Sequence, residues 1–281
     1  MNKMIIFCIL LLTAAQAASP QQTKKPLPPG PGIEWQGDWG SALKEATSRN
    51  VPVILTIHKD LCPHCKTMEE ETLRNAKVIE MSKTFVSVVA HRDIGHGSTE
   101  ALRGRDKVML CNDYANIPCE VHVQGWEAIR HFIDGTFLTP TTVFCDPAGK
   151  ELFRHEGDPG PATMIKLMND ALTKVSGDKI PQPFWSQALQ IRKEGDDALE
   201  KEDFRKAFDL YSKIGKMKGD RMKVMAQEAL QKLDDRGTEA FRTALALNNV
   251  EQKKAALRKI TEDFKGLPVA AEAKKDLDTL K

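Results

Sequence analysis

Ile54-Leu55-Thr56-Ile57-His58-Lys59-Asp60-Leu61-Cys62-Pro63-His64-Cys65-Lys66-Thr67-Met68-Glu69 is the stretch that decides the fold. An apolar, β-rich run is followed by a short polar turn, two cysteines and a helix-forming run. That order predicts a strand, a turn and a helix whose first turn carries Cys62. The unpaired N–H groups and the dipole at a helix start favour an anion, so a thiol there ionises more readily. The thiolate is the species that attacks disulfides, and Cys65 is close enough in sequence to close a disulfide with Cys62.

Outward from that stretch, Val51 to Ile57 is a continuous apolar run of the kind found in buried strands. A helix is expected from Cys62 to about Ser82, and Thr84 to Ala90 is a second buried strand. The β-α-β order argues for a parallel pair joined by a crossover. Upstream, Asp38 or Ser41 can cap a helix through Ala42 to Ala46. Residues 91–138 show no clean period and read as an insert. Thr141 to Cys145 is a strand, Asp146 to Lys150 a turn, and Glu151 to His155 the partner strand of a hairpin. Gly160-Pro161 opens a helix with apolar residues at Met164, Ile165, Leu167, Met168, Ala171 and Leu172.

The first residues read as a targeting segment. Met1-Asn2-Lys3 is basic, Met4 to Ala15 is apolar, and Ala15-Gln16-Ala17 offers a small-x-small cleavage pattern, so residues 1–17 are expected to be a removed signal peptide. Residues 18–32 form a linker, with five prolines and two glycines between Ser19 and Gly32. Export makes the chain periplasmic or secreted and places Cys62, Cys65, Cys111, Cys119 and Cys145 where disulfides can form. The formal net charge of +2 gives no reason to expect nucleic acid as a partner.

Residues 178–183, around Ile180-Pro181-Gln182-Pro183, read as a second linker. Residues 184–281 are amphipathic helix almost throughout. From 181 onward there are 21 Lys/Arg against 18 Asp/Glu, so these are solvated helical faces of mixed sign. Helices are expected over Met222–Leu233, Glu239–Leu247, Lys253–Phe264 and Ala270–Leu280.

Residues 33–177 resemble the thioredoxin-fold family: a strand, a C-x-x-C heading a helix, a strand, a proline just before a β-hairpin, and a last helix. The resemblance implies that Thr139-Pro140 is cis and faces the cysteines. Pro63-His64 between the cysteines is similar to the dipeptide of the DsbA group. Two features depart from the family. Leu61 stands where an aromatic residue is frequent, and Thr56 stands where thioredoxin has a buried acid, so the proton must be handled by another group or by water. Residues 184–219 resemble one tetratricopeptide-type hairpin, with Gly195, Ala207 and Tyr211 at matching positions, and Ile260 to Ala273 resembles such a helix-loop-helix. The fold class is therefore α/β, thioredoxin-like with an insertion, plus a second all-α, helical-repeat-like domain.

The resemblance implies an exported protein-disulfide oxidoreductase. Cys62 is the attacking nucleophile, Cys65 the resolving thiol, His64 the tuning residue, and Pro63, Thr139 and Pro140 complete the site. Substrates would be protein thiols and disulfides, with a membrane or soluble redox partner and a protein partner at the helical tail. The sequence leaves the direction of electron flow open. The alternatives are a static disulfide, a thioredoxin-like scaffold that binds through its tail, and a Cu(I)-binding dithiol. No cofactor is expected. No metal site is expected either, because no second C-x-x-C or His-x-x-x-His supplies four ligands. His91 and His96 with Cys111 can ligate, but their spacing does not demand it. Cys111 and Cys119 are expected to form a structural disulfide worth about 2–3 kcal/mol, with a redox relay as the sharper alternative. Cys145 reads as a buried, unpaired small hydrophobe. His58, His122, His131 and His155 read as surface or locally bonded residues.

Overall fold

The computed structural model describes residues 32–94, 96–103, 106–114, 117–133 and 137–280. The expected signal peptide (1–17) and all but the last residue of the first linker lie outside them.

The central sheet has five strands in the order β1 (Trp35–Gln36), β3 (Val86–His91), β2 (Val53–His58), β6 (Thr141–Cys145), β7 (Glu151–Glu156). Strands β1, β3 and β2 are parallel, whereas β6 runs antiparallel to both β2 and β7. β2, β3 and β6 are buried along their whole length, as their apolar runs predict. Alternate residues serve opposite faces. Val53, Leu55 and Ile57 pack with Ala42 and Ala46 of α1 (Trp39–Arg49) and with Ala128 and Ile129 of the insert. Ile54 and Phe144 pack on the other side with Met68, Val78, Met164 and Met168. Helices thus cover both faces. Asp38 caps α1 by accepting from the Ser41 amide at 2.7 Å.

The helix expected from Cys62 to Ser82 is interrupted. It comprises α2 (Pro63–Thr67), one π-helical turn (Met68–Thr72) and a fresh start at α3 (Ala76–Ser82). Asn75 causes the restart, its side chain accepting from the Lys77 and Val78 amides at 3.0 and 3.4 Å. The insert, which has no readable period, forms a separate two-stranded hairpin, β4 (Ser98–Arg103) with β5 (Asp106–Cys111). It continues into α4 (Cys119–Gly125) and a 3-10 turn (Trp126–His131). α5 (Gly160–Lys174) closes the unit.

The C-terminal region is all α: α6 (Gln182–Glu200), α7 (Phe204–Gly215), α8 (Asp220–Leu245), α9 (Val250–Asp263) and α10 (Pro268–Thr279). α8 is one helix where the pattern suggests two. Gly237, between the two expected segments, is a packing position. A Cβ there would sit 2.6 Å from Val269 and 2.8 Å from Phe264. The second linker is held against the α/β unit. Arg49 donates to the carbonyls of Ile180 (3.0 Å) and Lys83 (2.6 Å), and the Gln182 amide also reaches Lys83 (2.7 Å). No helix among the described residues is long and apolar enough to cross a membrane.

Candidate functional site

Antiparallel pairing builds the site. Ile57 near the end of β2 faces Thr141 at the start of β6. This register brings Thr139-Pro140, just before β6, beside the loop that follows β2. The Thr139-Pro140 peptide is cis, at the position the resemblance implies. The Cys62 Sγ lies 3.3 Å from the Thr139 carbonyl, to which it donates, and the Thr139 hydroxyl approaches that sulfur at 3.7 Å.

Cys62 is the N-cap of α2, and its sulfur accepts from the Cys65 amide at 3.3 Å. Both cysteines are free thiols. Their environments drive their acidities apart. Burial opposes ionisation of Cys62, but hydrogen bonds from the Cys65 thiol and amide and from Thr139, with the charge of Lys59, outweigh it and lower the pKa. Cys65 is pushed up to about 12, first by burial and then by its bond to Cys62. One thiol is prepared to attack while the other is held protonated behind it. Pro63 and His64 are exposed on the first turn. Leu61, directly before Cys62, is fully exposed and left-handed (φ 60°), a conformation that strains a non-glycine residue. Thr56 is buried opposite Thr142, and neither hydroxyl has a hydrogen-bond partner among the described residues. No acid occupies that place.

A buried polar cluster lies on the other side of the same loop. Pairing of β2 with β3 sets His58 against His91. His58 Nδ1 is 2.9 Å from the Glu69 carboxylate, which also accepts from the Tyr114 hydroxyl at 3.1 Å. Burial disfavours the Glu69 charge, but the bond and charge of His58, the charge of His91 and the Tyr114 hydroxyl lower its pKa overall. His91 is depressed to about 4, chiefly by burial. Its Nε2 is 3.1 Å from Asp60, but off the line of a hydrogen bond.

The same cluster gathers His96, Cys111, Cys119 and His122, whose ligand atoms all lie within 4.8 Å of one another. A second group, Asp60, His91, His96 and Asp113, shares His96. Sequence spacing named no metal set, yet the fold assembles one from the loop after β3, the end of β5 and the start of α4. The available signal was Cys119-x-x-His122, which puts two ligands on one helical face. Cys111 and Cys119, expected as a staple, are free thiols here, and burial raises both. His122, read as a surface or locally bonded residue, is fully buried and bonded through Nδ1 to the His91 carbonyl. Cys145 is a buried free thiol in the sheet core, as expected.

A family model described as a thioredoxin-like domain matches residues 39–172. This segment is a thioredoxin-like domain. Among solved structures, the chain is similar to a DsbH oxidoreductase at 19% identity and TM-score 0.35, covering 56% of this chain and 95% of that one. It is also similar to a thioredoxin from Thermus thermophilus at 21% identity and TM-score 0.35, covering 52% of this chain and 91% of that one. No curated protein matches the chain. The thioredoxin-like domain contains the Cys62–Cys65 pair, Thr139-Pro140 and the whole of the His/Cys cluster.

Proposed function

We propose that this chain is an exported thiol–disulfide oxidoreductase that exchanges disulfides with protein substrates through Cys62 and Cys65. The observation that carries the reading is the setting of Cys62: it caps α2, its sulfur accepts from the Cys65 amide at 3.3 Å, and the Thr139 carbonyl and hydroxyl face it at 3.3 and 3.7 Å.

In the reducing direction, the Cys62 thiolate attacks one sulfur of a substrate disulfide. The substrate S–S bond breaks as the mixed disulfide forms, and the released substrate thiolate takes a proton. Cys65 then loses its proton and attacks Cys62 Sγ. The mixed bond breaks, the second substrate thiol departs, and a Cys62–Cys65 disulfide remains. The substrate gains two electrons and the pair loses two. An oxidase runs the same steps backwards. A lowered Cys62 pKa stabilises the reduced pair and makes its sulfur a better leaving group, which leans toward the oxidising direction.

Exposed Leu61 and Leu138 flank the cysteine loop and the Thr139-Pro140 segment in sequence, and both offer apolar surface to an extended client. The helical-repeat-like tail, held to the domain through Arg49, would recruit a client or a redox partner. The test is insulin-disulfide reduction by the full chain with and without Cys62→Ser. Loss of turnover in the variant supports the reading, and turnover that survives overturns it.

A further inference from the structure

We infer that His96, Cys111, Cys119 and His122 form a closed, tetrahedral zinc site that clamps three parts of the insert to one another: the loop after β3, the end of β5 and α4. The inference does not rest on the redox reading of Cys62 and Cys65.

Three observations carry it. The first is spacing. The two Nε2 atoms of His96 and His122 are 3.2 Å apart, and Cys119 Sγ is 3.7 Å from His96 Nε2. A tetrahedral ion with zinc–nitrogen bonds of about 2.05 Å and zinc–sulfur bonds of about 2.3 Å sets those edges at about 3.3 and 3.6 Å. Both edges match, and all four ligand atoms lie within 4.8 Å of one another.

The second is the direction of the imidazole lone pairs, assigned from the partners. His122 Nδ1 is 2.6 Å from the His91 carbonyl oxygen, and His96 Nδ1 is 3.1 Å from the Asp60 carboxylate and 3.5 Å from that of Asp113. These oxygens only accept, so each Nδ1 carries the hydrogen. In the neutral rings both Nε2 lone pairs then point at each other across 3.2 Å. Lone pairs so placed repel unless a ring proton or a metal cation lies between them, and a metal is the partner that the two sulfurs can share. Ring N–H groups tied to a carboxylate and a carbonyl are also the usual support of metal-bound histidine.

The third is charge and softness. Cys111 and His122 are buried, the His96 side chain is nearly so, and Cys119 is half-buried. Zinc with two thiolates and two neutral imidazoles is neutral overall, as a buried site requires. On binding, the Cys111 and Cys119 thiols each release a proton to solvent and the ion exchanges its waters for four protein ligands. Two thiolates and two imidazoles favour zinc over the harder divalent cations. Four protein ligands leave no open position, so the site is structural.

The surroundings hold these ligands in place. Asn112, next to Cys111, donates to the His96 carbonyl at 3.0 Å. Gly125 ends α4 against β3 so closely that a Cβ would sit 2.0 Å from the Val89 carbonyl oxygen, which seats His122 over the sheet. Asp60, which orients His96, lies two residues before Cys62, so the clamp also holds the loop that presents the nucleophile.

The experiment is elemental analysis of the full chain purified without chelator, followed by replacement of the metal with Co²⁺. The expected result is one zinc per chain and a cobalt derivative with thiolate charge-transfer and tetrahedral ligand-field bands. These bands persist when Cys62 and Cys65 are alkylated and vanish in Cys119→Ser and His122→Ala. Asp60→Asn retains the site but weakens zinc about 10- to 100-fold in competition with a chelator. Should the ligand variants fail to fold, the wild-type stoichiometry and cobalt spectrum decide alone. Metal-free protein with a Cys111–Cys119 disulfide, copper in place of zinc, or cobalt bands abolished by blocking Cys62 and Cys65 would each overturn the assignment.

Discussion

Cys62–Cys65 and Cys111–Cys119 are both pairs of free cysteines in one thioredoxin-like domain, yet their surroundings prepare them for different chemistry. The first sits at a helix start, with an amide, a hydroxyl and a lysine charge favouring the thiolate of Cys62. The second lies at the end of β5 and the start of α4, with both thiols raised by burial and two imidazoles facing them. Cysteine count and spacing do not distinguish these cases. Helix termini, burial and the neighbouring side chains do, because they set which sulfur ionises and what it can reach.

The largest effect expected from this contrast is on exchange itself. Cys62→Ser should lower the rate about 10³-fold or to background. Cys145→Ala, at a thiol outside both pairs, should leave it unchanged. Cys65→Ser should accumulate a mixed disulfide with substrate, visible by mass spectrometry. Next comes stability. Removing the metal proposed at the second pair should lower the melting temperature by about 5 °C or more by calorimetry, since a structural ion bound only by the folded state stabilises it directly. An unchanged melting temperature would erase the distinction between the pairs.

A smaller effect is expected from Thr139→Val, which removes the hydroxyl facing the Cys62 sulfur. Its alkylation rate at neutral pH should fall about three- to fivefold, the value of a single hydrogen bond to the thiolate. The smallest is the pH dependence of the reduced protein. Folding lowers the pKa of Cys62, so the stability its thiolate adds is present above the unfolded thiol value and is lost as pH falls through the folded one. Cys65 and Cys145 behave oppositely. Each is pushed to about 12 from an unfolded value of 9.0, so the folded chain keeps a proton that the unfolded chain releases. Each removes stability as pH rises through that window. The melting temperature of the reduced protein should decline there, and less steeply in Cys145→Ala.

The arrangement proposed as the redox pair was legible because its evidence is local. A buried run, a turn and a C-x-x-C occupy consecutive residues, and Thr139-Pro140 followed from family resemblance. Two breaks in the helical pattern were misread for lack of tertiary context. Asn75 restarts a helix that reads as continuous, and α8 runs unbroken where the pattern suggests two helices, with Gly237 making room for Val269 and Phe264. The His/Cys cluster was the least legible. Its four ligands come from three places in an insert without period, and the packing of α4 on β3, the carboxylate of Asp60 and the Asn112 side chain bring them together. The fold also leaves the Thr56 position without an acid, so the sequence reading of that departure stands.

The central claim is that Cys62 and Cys65 alone among the five cysteines of the described residues are the working redox couple. The most direct measurement is equilibration of the full chain across a glutathione redox series, followed by differential alkylation and peptide mass spectrometry. The account predicts that Cys62 and Cys65 change label together as a single two-electron couple while Cys111 and Cys119 never become joined. A Cys111–Cys119 disulfide that forms and breaks across the series, with Cys62 and Cys65 unchanged, would contradict it.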